Sequence, residues 1–563
     1  MFKVFYALLL KKGENMSKIK IFSLGGLNEN GKNMYVIEID KSIFVIDAGL
    51  KYADEHMLGI DYIIPNIEYL KENKKRVKGI FLTHGHYENS GAVADLIKDL
   101  NGVQIYGSKF TIDNLKKELE GDANALKSLV EIQPYRTLTI GKVKIFPVGL
   151  SHSMPDNLGY AIYTKDGVIF YASDFVFDAL MRGHYQTDIG KLAYIGKQGV
   201  LCLLTESTYA EKKGFTAPNH RISNLIRETL GKAQGRIIFN VLDSHLYRIQ
   251  ELFNEVSKTD RKIVIMGKRL QNIVEYSILN KYLFVDRNCI GDLTNINDEN
   301  VVILNSNERE RPYSTINKIA NGYDKFIKLK QTDTVFLATP IYEGREKTFY
   351  KLLDDISKLD VNVVTLSKSN LSHHASSEDL MMMIDLMKPK YYFPIKGEYR
   401  HQVANASLAE KVGIKPENII LKENGYVASF VNGNLINNEF LRMPTGDISI
   451  DGDSSDDIGE VVLRDREMLS ENGIIIISAT LSKKTKKILA GPEILTRGFV
   501  YVKDSTELID AMKEKCKAII TENVHDNYVD YSKIKTSIRE NLSKYLSSQT
   551  GNKPMIISVL QEI

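Results

Sequence analysis

Apolar positions along this chain follow two periods. Residues 19–24, 35–39 and 43–46 are short apolar or alternating runs separated by Gly, Asn and Asp, which reads as a β-rich opening. Residues 89–100 and 111–120 carry the longer helical spacing, the second with Asp113 and Lys117 one turn apart. Residues 143–148 and 168–171 again have the length and composition of strands. Gly25, Gly26 and Gly31 act as turn punctuation. A phosphate loop is excluded, because no Gly-Lys-Ser/Thr and no strand–GxGxxG–helix context follows.

From about Arg221 helix and strand alternate strictly. Helices are expected at 222–230, 246–256 and 270–279, and strands at 237–241, 263–266, 301–304 and 334–337. This alternation predicts βαβ units and a parallel sheet, placed as an α/β domain inserted into the first one. The earlier style resumes at 363–366 and runs through a helix at 377–387 and a strand at 391–394. An Asp-, Ser- and Gly-rich stretch, 445–459, reads as a linker. Beyond it a small α/β unit is expected, with a strand at 473–478, a basic turn at Lys483 to Lys487, helices at 506–521 and 531–546, and a last strand at 555–559. The expected division is therefore an extension at 1–17, a first domain at 18–210 and 361–444, an insertion at 211–360, the linker, and a C-terminal domain at 460–563.

Composition narrows the class. A chain of 563 residues with 43% hydrophobic and 26% charged content is ordinary globular protein of about three domains. A net charge of +3 means that a nucleic acid must be met by a local basic patch, not by the global field. Three dispersed cysteines, Cys202, Cys289 and Cys516, form no CxxC and no disulfide framework, which points to a reducing, cytoplasmic compartment. The apolar run Val4 to Leu10 is too short to span a membrane and lacks a signal-type cleavage site. Residues 1–15 are read as an extension upstream of an alternative start at Met16, with no membrane role.

The chemistry concentrates in Thr83-His84-Gly85-His86-Tyr87-Glu88-Asn89, just after the apolar run Gly79 to Leu82. Two histidines at i and i+2 leave a strand tip and can enter one pocket, and neutral imidazole is the commonest ligand for zinc-like ions. His152 follows the run 146–150, and Asp174 follows 168–171. Each has a plain structural reading when taken singly. The ordered set at strand ends points to a metal pocket.

Asp47 in Val-Ile-Asp-Ala-Gly, Thr83-His84-Gly85-His86, His152 and Asp174, taken in order, resemble the metallo-β-lactamase fold. Leu204 to Thr208, the insertion, Ser372-His373-His374-Ala375-Ser376 and the stretch Pro389 to His401 resemble its β-CASP nuclease branch. Leu24-Gly25-Gly26-Leu27, Lys390 to Pro394, Gly397 to His401 and Arg497 to Tyr501 are similar to the ribonuclease J family. The resemblance implies an αββα sandwich with an inserted β-CASP domain and a C-terminal dimerisation domain. It further implies a cytoplasmic enzyme that trims single-stranded RNA from a 5′-monophosphate end and can cut internally, acting in mRNA decay and rRNA maturation. Two metal ions, usually zinc with manganese as the alternative, would activate water and stabilise the phosphate. Asp174, Glu206 and His374 would be catalytic, His374 as general acid, and residues Asn370, Leu371, Ser372, His373 and His374 would meet RNA.

The pattern departs from the family at particular places. His-x-His-x-Asp-His becomes His84, His86, Glu88 and Asn89; the His expected before Gly397 is Lys396; and a His of the inserted domain is Tyr247. His84, His86, His152 and Asp174 would still build the first metal site, with Glu88 as a further candidate ligand. Asn89 and Lys396 would not build the second, since a protonated ammonium cannot bind a cation. The expectation is one metal ion, with the Lys396 ammonium in the second position beside Glu88 and Asp174. Two functions follow: an attenuated ribonuclease, or an RNA-binding paralogue that assembles with an active relative, as homodimer or hetero-oligomer, in an RNA-degrading complex.

Overall fold

Strict side-chain alternation explains most of the sheet structure. Ile474–Leu481 shows it plainly: Ile475, Ile477, Ala479 and Leu481 are buried, while the residues between them are partly open. The computed structural model describes residues 17–54, 57–307, 313–341, 345–436, 441–452, 460–499, 506–525 and 528–563. The N-terminal extension at 1–16, the linker at 453–459 and Val500-Tyr501 lie outside the described residues. Two units divide the chain: everything up to Tyr52 together with Tyr62–Ile448, and Ala53–Asp61 together with Ser449–Ile563.

Among the described residues, the first unit contains an eight-stranded and a six-stranded sheet. Ile21, Ile37, Phe44 and Ile46 of the first meet Ile145, Tyr160, Ile169 and Phe393 of the second in one buried cluster. Each such side chain contributes about 1.5–3 kcal/mol when fully buried. Helices cover the outer faces. Helix Glu68–Glu72 packs Tyr69 edge-on against Phe22 at 5.2 Å. Helices Ile189–Lys197, Ser377–Met387 and Tyr399–Lys411 pack on the second sheet through Leu192, Met383 and Leu408. This is the αββα sandwich.

The helix expected at 89–100 is two helices, Tyr87–Ser90 and Val93–Asp99. The interruption has a local cause. Ala92 N–H donates to Ala48 O at 2.9 Å, and a Cβ on Gly91 would sit 2.7 Å from Leu50. The chain is pulled against the strand-end loop at residues 48–50, and the short first helix carries Glu88 and Asn89 to the pocket.

The insertion is a parallel sheet in the order Lys262–Ile265, Val301–Ser306, Ile237–Val241, Thr334–Leu337, Asn362–Thr365. Phe239 and Val241 face one apolar cluster and Ile238 faces the other, so helices cover both sides. One strand beyond the boundary expected at 360 joins the inserted sheet. Asn362–Thr365 pairs with Thr334–Leu337 and forms the edge of the inserted sheet, because its register continues the parallel ladder. At the other end, Asp447–Ile450 is a strand within the stretch read as linker.

In the second unit Ile474–Leu481 lies between Ile488–Arg497 and Met555–Glu562. Its buried face packs on Met512, Cys516, Ile534, Ile538 and Leu542 of helices Thr506–Glu522 and Tyr531–Thr550.

Candidate metal centre

Parallel strands bring their carboxyl ends to one edge, and ligand sites form there. Gly167–Ala172, Val200–Glu206 and Tyr391–Ile395 are parallel neighbours, with Ala172 opposite Thr205 and Glu206 opposite Ile395. Their tips therefore present Asp174, Glu206 and Lys396 side by side. In the facing sheet Ser42–Ile46 and Val77–Phe81 are also parallel, which places Asp47 beside Thr83 and His84. His152 follows Val143–Gly149.

Three imidazoles converge. His84 Nε2 lies 2.9 Å from His86 Nδ1, and His152 Nε2 lies 3.2 Å from the same atom. Their free nitrogens are part of one group with ligand atoms within 4.8 Å of one another. Tetrahedral binding at about 2.0–2.1 Å spaces ligand atoms by roughly 3.3 Å, so the geometry suits a zinc-sized ion. The proton positions suit it too. His152 Nδ1 faces the His373 carbonyl at 2.8 Å. A carbonyl only accepts, so Nδ1 carries the proton and Nε2 offers its lone pair. Burial, then the neighbouring imidazoles, holds His84 and His152 well below the usual histidine range, which keeps both neutral. Asp174 Oδ2 lies 3.5 Å from His84 Nε2 and completes the donor set. The residues fit a single metal ion.

The other side of Asp174 is different. Lys396 Nζ donates to Asp174 Oδ1 at 2.9 Å, and both side chains are buried. Burial alone would lower the lysine, but Asp174 and Asp47 outweigh it and raise it above its ordinary value. Asp174 is held well below the carboxylate range, with Lys396 countering the cost of burial. Asn89 acts as a donor: its Nδ2 reaches Asp47 Oδ2 at 2.7 Å, while Oδ1 is buried without a partner. Asp47 also accepts from Thr83 N and Oγ1 at 2.8 and 2.9 Å, and burial lifts its pKa to about 6. Glu88 stays at the rim with its side chain 42% exposed, its Oε1 3.6 Å from His86 Nδ1. It joins neither donor group among the described residues.

Asp174, Glu206 and His374 form a second group with ligand atoms within 4.8 Å. His374 Nδ1 donates to Glu206 Oε2 at 2.7 Å, and Glu206 Oε1 is fixed by the Ala375 and Phe175 amides, each at 3.0 Å. Burial lowers His374, yet Glu206 overcomes it and raises the pKa to about 9. The imidazolium thus carries a proton on Nε2 as well. Tyr209 stands edge-on to this ring at 5.4 Å.

The segment expected to meet RNA is mostly turned inward. Leu371, Ser372 and His373 are buried, with Leu371 held by the Asn219 carbonyl and by Arg248 Nη2. Asn370 Oδ1 is occupied by Ser367 N and Oγ at 2.9 and 2.8 Å. Of these residues His374 is the one placed at the metal group.

Two features were given no role by the sequence. Asp47 organises Thr83 and Asn89, and Asp-Ala-Gly after an apolar strand was its signal. His373 sits 4.5 Å, ring to ring, from His220, whose Nε2 donates to Asp178 at 2.7 Å; Tyr247 packs on both rings at 5.4 and 5.9 Å. No periodicity marks such a cluster.

Comparison with known proteins places the chain. Residues 27–192 match the metallo-beta-lactamase superfamily, 234–356 the ribonuclease J beta-CASP domain, 360–420 the Zn-dependent metallo-hydrolase RNA specificity domain, and 461–563 the ribonuclease J C-terminal domain. Ribonuclease J2 of Bacillus subtilis (strain 168) is 38% identical over 98% of this chain and 100% of its own length. The chain belongs to the ribonuclease J family. Ribonuclease J 2 of Staphylococcus epidermidis is 36% identical over 99% of this chain, and Ribonuclease J 2 of Staphylococcus aureus (strain NCTC 8325 / PS 47) is also 36% identical over 99%. A crystal structure of a protein of unknown function from Enterococcus faecalis V583 shares the fold, with 16% identity, 73% of this chain covered, 100% of that chain covered and a TM-score of 0.51. Ribonuclease J membership makes the metal-dependent nuclease chemistry of the fold the frame for the centre described above. Among the described residues no helix is long and apolar enough to cross a membrane.

Proposed function

We propose that this chain is a ribonuclease J-type hydrolase of single-stranded RNA, acting from a 5′-monophosphate end with internal cleavage as a secondary mode, and working at reduced rate on one metal ion. Roles in mRNA decay and rRNA maturation in the cytoplasm follow from that reading, and three buried free cysteines suit a reducing compartment. The observation that carries it is the converging three-histidine set beside Asp174, facing a Glu206-held His374.

His84, His86, His152 and Asp174 would hold the ion, zinc by donor type with manganese as the alternative. A bound divalent ion lowers the pKa of its water and stabilises charge on a phosphate. The chain's own residues supply the rest. Glu206 fixes the His374 ring through Nδ1, so Nε2–H is available to the leaving O3′ as the P–O3′ bond breaks. Thr83 and Ser173 lie 3.0 and 3.4 Å from His84 Nδ1 and orient that ligand. The match at 360–420 to an RNA specificity domain supports RNA as the substrate.

A second reading is favoured by Asn89 and Lys396: an RNA-binding subunit of weak or no activity, assembled through residues 460–563 with itself or an active ribonuclease J paralogue. One assay separates the two. Purified protein is given 5′-monophosphorylated RNA with zinc or manganese, and Asp174→Ala serves as blank. Nucleotide release that the substitution abolishes supports the enzyme. No release above the blank supports the subunit.

A further inference from the structure

We infer that Lys396 is a built-in cation of this centre: its ammonium takes the position that a second metal ion would need, and so limits the site to one ion. The inference rests on the metal reading of the three-histidine set above, and on no assumption about turnover.

Asp174 divides its two oxygens. Oδ2 faces the histidine set at 3.5 Å, and Oδ1 is taken by Lys396 Nζ at 2.9 Å. The group Asp174, Glu206 and His374 has the spacing of a cation site. An ion entering it needs Oδ1 and must stand against a buried ammonium already bonded there. Like charges cannot share that volume, since burial removes the water that would screen them.

The backbone directs the lysine inward. Lys396 follows strand Tyr391–Ile395 with φ +56, a left-handed conformation uncommon for a side-chain-bearing residue. Gly397 follows with φ +79. Lys396 N–H donates to Tyr35 OH at 3.2 Å, and Tyr35 OH donates to Gly26 O at 2.8 Å. The bend is thus fixed by a buried tyrosine, and local strain retained at a functional edge is characteristic of a positioned residue. The neighbouring Asn89 fits the same arrangement. It turns its amide donors to Asp47, which leaves its buried carbonyl oxygen unpartnered.

Lys396 and His374 stand among the buried carboxylates Asp174 and Glu206, Lys396 on Asp174 and His374 on Glu206. Lys396 is therefore a positioning residue for Asp174 and a selector for one-ion occupancy.

The test counts ions on the full-length, metal-stripped chain titrated with zinc alone and with manganese alone, read by calorimetry and elemental analysis. Wild type should take one equivalent. Asn89→His adds a ligand but keeps the ammonium, and should still take one. Asn89→His with Lys396→His removes the ammonium and should take two. Each variant is first shown to melt cooperatively and to retain the first equivalent. Two equivalents in Asn89→His alone, or one in the folded double variant, would overturn the inference. No binding by wild type would sink the metal reading on which it rests, and the inference with it.

Discussion

The two sides of Asp174 use the same residue types toward opposite ends. On one side, the imidazoles of His84, His86 and His152 converge at spacings that suit a shared cation. On the other, an ammonium and an imidazolium are paired with carboxylates, so positive charge already stands there. Donor type alone does not separate these sides. What separates them is where protons sit, which is set by the partner on the far side of each group: the His373 carbonyl behind His152, and Glu206 behind His374. A ligand inventory therefore misstates the site unless hydrogen-bond partners are read with it.

The comparison can be broken from either side. The largest effect is expected from Asp174→Ala, which removes the shared residue; RNA hydrolysis should fall to background and metal affinity should drop. Glu206→Gln keeps a hydrogen bond to His374 but removes the charge that holds its proton. Hydrolysis should fall by about 10²-fold or more, the scale of lost general acid–base catalysis, with the alkaline limb of the rate profile moving to lower pH. If rate and profile both stay unchanged, His374 is not the proton donor. Lys396→Met leaves a buried carboxylate unpaired, so the metal-free protein should lose about 3–5 kcal/mol, read by thermal unfolding, and added zinc should restore part of it. An unchanged melting temperature would place Asp174 in a wetter site than described.

The smallest effect lies away from the metal. Burial raises Asp178, but His220 and Arg221 outweigh it and hold its carboxyl well below the usual range. Because the folded value is the lower one, its contribution is fully present above the unfolded carboxylate pKa of about 3.9 and is lost as pH falls through the folded value. The melting-temperature gap between wild type and Asp178→Asn should therefore be wide at pH 7 and close under strong acid. A gap independent of pH would deny the ion pair any role.

Much of this was legible in the sequence because the fold writes itself in periods. The opening strands marked a β-rich start and the helix–strand succession after Arg221 marked the parallel insertion, while the sandwich came from the family resemblance. The motif residues at strand ends marked the pocket. The sheet that Asn362–Thr365 joins was not legible, because a short apolar strand carries no label of its neighbour; the parallel register with Thr334–Leu337 decides it. Glu88 was given a candidate ligand's place by the family resemblance, and the short helix Tyr87–Ser90 turns Asn89 inward and leaves Glu88 at the rim. The inward turn of Leu371 to His373 depends on Arg248 and Asn219, more than a hundred residues away in sequence, as a pattern of polarity cannot show.

The most direct measurement is the number of metal ions bound by the unaltered full-length chain at saturating zinc, by native mass spectrometry. One ion per chain, lost in His86→Ala, is the result this account predicts. Two ions per chain, the second lost in Glu206→Ala, would contradict it, because the centre would then hold an ion beside the Lys396 ammonium.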